Sequence, residues 1–220
     1  MYSNAKRLLP FIPKNDYDKI ATEFLEQYYP QALDKPQRVP IEQIAYEGLG
    51  LDVQYVCLSE ELDIFGMTIF TDGKVEIYDP KEGLYDLKVI SAKTVLIDPK
   101  AVEKTNTGCK NNTIAHECVH WYKHRYYYKA QNLSLPKYAK YCKCKIEQIP
   151  DATEDESIME AQAVGIAPRI LMPKHPFIEA AQYLGVFPGQ DNRSTVNALA
   201  DFFDVSKQSV AIRLKECSLL

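Results

Sequence analysis

The stretch Asn111-Asn112-Thr113-Ile114-Ala115-His116-Glu117-Cys118-Val119-His120-Trp121 decides how this chain is read. It lies in a run from about 112 to 128 long enough for roughly four to five helical turns, with Asn111 or Asn112 as the cap. On a helix, residues four apart share one face, one turn apart. His116 and His120 can therefore converge on one metal ion at roughly 2.0–2.1 Å each. Glu117 stands beside the first imidazole, where its carboxylate can take a proton from an attacking water. This is the HExxH arrangement of zinc peptidases.

Two neighbours invite the same role and are set aside. Cys118 lies about 200° round the helix from His116 and is expected as a small buried apolar residue. His124 continues the spacing of four, but lies about 12 Å along the axis from His116. It is expected as an exposed polar residue near the helix end.

A catalytic zinc site keeps three protein ligands and one open position. Glu160, within Ser157-Ile-Met-Glu-Ala-Gln-Ala163, is the candidate third ligand. The plain alternative is a surface acid, since Glu154, Asp155 and Glu156 stand nearby. Ala161 and Ala163 are small enough to let this helix pack closely on the first.

Outward from the motif, residues 16–29 carry Ile20, Phe24 and Tyr28 at helical spacing, with Asp16 as cap. A short helix follows Val39-Pro40-Ile41 and stops near Gly48 and Gly50. Strands are predicted at 52–57, 64–70, 74–78 and 93–97, with Asp72-Gly73 as a hairpin turn between the second and third. Helices are predicted at 154–171, perturbed by Pro168, and at 175–184, 194–203 and 206–216. The fold class is α+β: a small, mostly antiparallel sheet packed on the HExxH helix, then a helical C-terminal region.

Length and composition agree with this plan. The chain has 220 residues, 46% of them hydrophobic, enough for one real core. A net charge of −4 exerts no global pull on nucleic acid or anionic membranes. The opening MYSNAKRLLPFIPKND is broken by Pro10 and Pro13 and reads as neither signal peptide nor anchor. No stretch approaches the roughly 18 apolar residues of a membrane span. A cytoplasmic protein is expected, with its six irregularly spaced cysteines as reduced thiols.

The two metal segments together resemble the ImmA/IrrE family of metallopeptidases. That family pairs a TxAHExxH helix with a later ExxANxxAxx(L/I)xMP helix. Here the first reads Thr113-Ile-Ala-His-Glu-Cys-Val-His120, and the second runs from Glu160 through Ala163, Ala167 and Ile170 to Met172-Pro173. Val164 replaces the usual Asn and Val119 a frequent Gly; neither is a ligand position. Weaker similarity covers VPIEQIAYEGLGLDVQYV, IFGMTIFTDGKVEIY and LADFFDVSKQSVAIRLKECSLL, so that about residues 38–220 are spanned. The resemblance implies a zincin-like fold, His116, His120 and Glu160 as zinc ligands, and Glu117 as general base. It further implies a site-selective endopeptidase that cuts a repressor-like transcription regulator encoded beside it on a mobile element. The expected organisation is a metallopeptidase domain over 1–173 and a helix-turn-helix-like extension over 174–220 packed on it.

An extended substrate is expected against a sheet edge, at 93–97 or 74–78. Between Lys123 and Lys145 stand seven Lys or Arg and no acid, interleaved with tyrosines. The plain reading is a solvated helix end and loop; the functional one is a lid or substrate-selecting loop. In the C-terminal pair, Asp204-Val205 is the expected turn and Ser206 the cap, with DNA contact disfavoured because Arg213 and Lys215 fall late in the helix. The competing function is a DNA- or protein-binding regulator with the same fold and little proteolysis. The Glu between the histidines argues for hydrolysis, because binding alone needs no general base.

Overall fold

A computed structural model of the chain describes residues 9–105, 109–130, 139, 141–145, 153–190 and 192–220. Helix α1 (Tyr17–Tyr28) and the short α2 (Gln31–Asp34) lead into α3 (Ile41–Gln43), which widens into a π-helical turn over Ile44–Gly48. Strands β1 (Asp52–Tyr55), β2 (Ile64–Ile69), β3 (Gly73–Asp79), β4 (Leu84–Ile90) and β5 (Thr94–Ile97) follow. Helix α4 (Pro99–Thr105) precedes α5 (Cys109–Val119), a second π-helical turn (His120–His124) and α6 (Arg125–Ala130). Strand β6 (Tyr141–Lys145) and helices α7 (Glu154–Leu171), α8 (Lys174–Tyr183), α9 (Arg193–Phe203) and α10 (Lys207–Glu216) complete the chain.

The architecture is α+β. Four strands form a sheet in the order β1-β5-β2-β6, and β3 pairs with β4 in a separate two-stranded sheet. Among the described residues β1 and β5 run parallel and the other pairings are antiparallel. Residues alternate across β5 as a strand requires. Val95 and Ile97 join the large core with α1, α5 and α7, whereas Leu96 joins a smaller cluster with Val75 and Ile77 of β3. Helices thus cover one face of the four-stranded sheet and the β3–β4 hairpin the other.

The predicted hairpin through Asp72-Gly73 does not form. Strand β2 takes β5 and β6 as partners. Asp72 Oδ1 instead accepts the Ala92 N–H at 2.7 Å, tying the start of β3 to the end of β4. A local turn signal cannot say which strands pair when both faces of the sheet are covered. Strand β4 was not predicted because its side chains are almost wholly exposed and carry no core pattern. Strand β6 was not predicted because it lies inside the basic Tyr-rich stretch. The expected substrate edge at 93–97 is overturned as well: β5 is internal, hydrogen-bonded on both sides. Among the described residues the four-stranded sheet ends at β1 and β6.

The C-terminal helices share the main core with the rest of the chain, through Phe177, Leu199, Phe203, Val210 and Leu214. Asp204 takes the left-handed conformation between α9 and α10, and Ser206 caps α10 by accepting the Ser209 N–H at 3.0 Å. Arg213 is not presented for nucleic-acid contact. It is 1% exposed and bonded to Asp18, Glu216 and the Met172 carbonyl. Among the described residues no helix is long and apolar enough to cross a membrane.

Candidate metal centre

The motif helix begins at Cys109, before its expected cap. Asn111 and Asn112 instead donate across to the C-terminal pair, at 2.9 Å to the Asp204 carbonyl and 2.8 Å to Ser209 Oγ. Those bonds anchor the helix that carries His116 and Glu117. Helix α7 starts with a capping box: Thr153 Oγ1 accepts the Glu156 N–H, and Glu156 Oε2 accepts the Thr153 N–H. Glu160 follows one turn later and meets the histidines.

Glu160 Oε2 lies 3.1 Å from His116 Nε2, and Glu160 Oε1 lies 3.1 Å from His120 Nε2. The two Nε2 atoms are 2.9 Å apart. One donor atom from each residue falls within 4.8 Å of the others, and the group can hold a metal ion. Tetrahedral bonds of about 2.0–2.1 Å would place donors roughly 3.3 Å apart, within a few tenths of an ångström of what is seen. Two imidazole nitrogens and a carboxylate turned toward one point repel unless a cation or a proton lies among them. The donor set, two imidazoles and one carboxylate, is that of open catalytic zinc sites.

Glu117 is fully buried. The Thr68 hydroxyl donates to its Oε2 at 2.6 Å, and the Cys142 thiol approaches the same oxygen at 3.9 Å. Its other oxygen, Oε1, is buried without a hydrogen-bond partner among the described residues. Burial pushes the Glu117 carboxyl up, with His116, His120 and Thr68 pulling against it. At Glu160 burial also raises the carboxyl, but the two imidazoles outweigh it and hold the group well below the ordinary range. A raised acid and a depressed one side by side separate proton acceptor from permanent anion.

Cys118 is fully buried, as the helix geometry predicts. The reading of His124 fails. It is 0% exposed, its Nδ1 is 3.0 Å from His120 Nδ1, and its Nε2 is 2.9 Å from Gln162 Oε1. Burial and the neighbouring His120 push His124 down to about 3. The helix does not end in solvent here because α7 lays Gln162 over it. Of the two alanines, Ala163 is buried and Ala161 is exposed; Gly165 makes room instead for the Tyr17 ring of α1. Thr68, Cys142 and Gln162 were not singled out from the sequence. They belong to distant elements and form no local pattern with the motif. The family model for the M78 peptidases, described as the IrrE N-terminal-like domain, matches residues 92–215, more than half of the chain.

The chain belongs to this family. The M78 match agrees with the ImmA/IrrE resemblance and brings peptidase activity of a metallopeptidase kind with it. It spans both the helix of His116 and the helix of Glu160, and runs on through α9 and most of α10. No curated protein matches this M78 chain.

Proposed function

We propose that this protein is a zinc-dependent endopeptidase with His116, His120 and Glu160 as its metal ligands and Glu117 as its general base. One observation carries the reading: two imidazole nitrogens and a carboxylate converge within about 3 Å, beside a buried carboxylate with one oxygen unpartnered among the described residues. Zinc bound there would polarise the scissile carbonyl and acidify the attacking water. Glu117 takes the water's proton at Oε1, while the Thr68 hydroxyl holds Oε2 in place. The same carboxyl then hands the proton to the leaving amine. Its raised proton affinity suits both halves of that transfer.

The substrate reading rests on the resemblance: a repressor-like transcription regulator, cut at a selected site in the cytoplasm, in the control of a mobile element. Strand β6 lies beside Glu117 through Cys142, so an extended peptide laid along that side of the sheet would pass the general base. The test pairs metal content with cleavage. Wild-type protein should hold one zinc per chain and cut the regulator. Glu117→Gln should keep the zinc and lose about 10²–10⁴-fold in rate. His116→Ala should lose the zinc. Protein that folds, binds no stoichiometric metal and still engages a regulator would point to the non-proteolytic alternative.

A further inference from the structure

We infer that His124 is a positioning residue for His120, and that the carbonyl of Pro10, acting through Gln162, fixes the tautomers of both rings. This rests on the metal-centre reading above and extends it to residues outside the ligand set. Four groups stand in a chain. Gln162 Nε2 donates to the Pro10 carbonyl at 3.0 Å. Gln162 Oε1 stands 2.9 Å from His124 Nε2. His124 Nδ1 stands 3.0 Å from His120 Nδ1. His120 Nε2 faces Glu160 and His116.

Direction enters at one end and propagates. A carbonyl oxygen only accepts, so the Gln162 amide must turn its NH₂ toward Pro10. Its oxygen then faces His124, and His124 Nε2 must carry the proton that reaches it. In a neutral imidazole the other nitrogen bears a lone pair, so His124 Nδ1 accepts. His120 Nδ1 is therefore the donor, and His120 Nε2 is left with its lone pair aimed at the metal position. Metal-bound histidines need their second nitrogen to donate outward, which selects the tautomer and holds the ring plane. A carboxylate or backbone carbonyl usually receives that bond. Here a second, fully buried imidazole does, and passes the direction on.

The geometry has a local cause and a distant one. The π-helical turn over His120–His124 keeps His124 on the side of the helix that α7 covers. Pro10 lies far outside the matched residues 92–215. The N-terminal segment therefore sets up a ring on the motif helix.

Two measurements test this in the full-length protein. The first needs no variant. Histidine-labelled, metal-free wild type is studied by long-range ¹H–¹⁵N NMR near neutral pH. His124 should carry its proton on Nε2 alone and His120 should carry one on Nδ1; a proton on His124 Nδ1, or none on His120 Nδ1, overturns the inference. The second compares zinc affinity by chelator competition. His124→Phe keeps ring volume but cannot accept a bond, and should weaken zinc binding about 10–100-fold. His124→Gln restores an acceptor oxygen and should recover most of that loss. Cobalt-substituted His124→Phe should show a shifted d–d spectrum. Equal affinity for His124→Phe and wild type, or equal loss in both variants, would overturn the inference. Wild type without stoichiometric metal would instead sink the metal-centre reading, while the NMR result still judges the tautomers.

Discussion

Gly66 on β2 leaves no room for a side chain above Glu117: a Cβ there would lie 2.8 Å from Glu117 Oε1 and 2.9 Å from Thr113 Cγ2. The oxygen it would strike is the unpartnered one assigned to the proton transfer. Glu117 cannot retreat freely, because Thr68 holds its other oxygen. Gly66→Ala should cost about 1–3 kcal/mol of stability through overpacking. Cleavage should fall further than zinc affinity, because Glu117, the proposed general base, moves and the proposed ligands do not. Urea denaturation beside a chelator titration checks this, and unchanged cleavage would remove Gly66 from the site.

Thr68→Val keeps the shape and deletes the hydroxyl that donates at 2.6 Å. Glu117 Oε2 would stay buried without that donor, a loss of about 1–3 kcal/mol. Turnover should drop while zinc content holds, and Thr68→Ser should restore both stability and rate. A Val variant as active as wild type would show that Glu117 needs no anchor on the sheet.

Glu160→Ala removes the only acid among the three converging residues. Zinc affinity should fall by more than the roughly 10–100-fold typical of a lost outer-shell partner. Glu154→Ala, on an exposed residue of the same helix, should leave affinity unchanged. Competition with a chromophoric chelator separates the two, and equal affinities would return Glu160 to the role of a surface acid.

Arg213 is buried against Asp18, which joins the last helix to the first. Burial alone would raise the Asp18 carboxyl, but the hydrogen bond and charge of Arg213, with Arg169 close by, bring it below its ordinary value. A depressed carboxyl stabilises the fold fully above its unfolded value of about 3.9, and that stability disappears as pH falls through the lower folded value. Asp18→Ala should therefore be less stable than wild type at neutral pH, by less than the roughly 3–5 kcal/mol of a fully broken buried pair, since Glu216 still faces the guanidinium. The two stability curves should converge in acid. Curves that keep the same separation throughout the acid range would mean that the charge of Asp18 contributes nothing to the difference.

The HExxH helix, the buried side of Cys118 and the capped start of α10 could all be read along the chain, because spacing on a helix is a local property. The later helix with Glu160 could be proposed for the same reason, aided by its likeness to a known family. Strand pairing could not. The chain does bend at Asp72, yet it leaves β2 for a different sheet, and the partner of β3 is β4, chosen by which faces need covering. Nor could the surroundings of the motif be read. Thr68, Gly66, Cys142 and Gln162 reach Glu117 and His124 from three other parts of the chain, and Pro10 holds Gln162 from a fourth. Their side chains gain meaning only when the sheet and α7 close over α5. His124 shows the difference most clearly. Its position four residues past His120 is written in the chain, but whether it meets water or a buried amide depends on what packs above it. Periodicity specifies which residues share a face; only the packed fold specifies what that face touches.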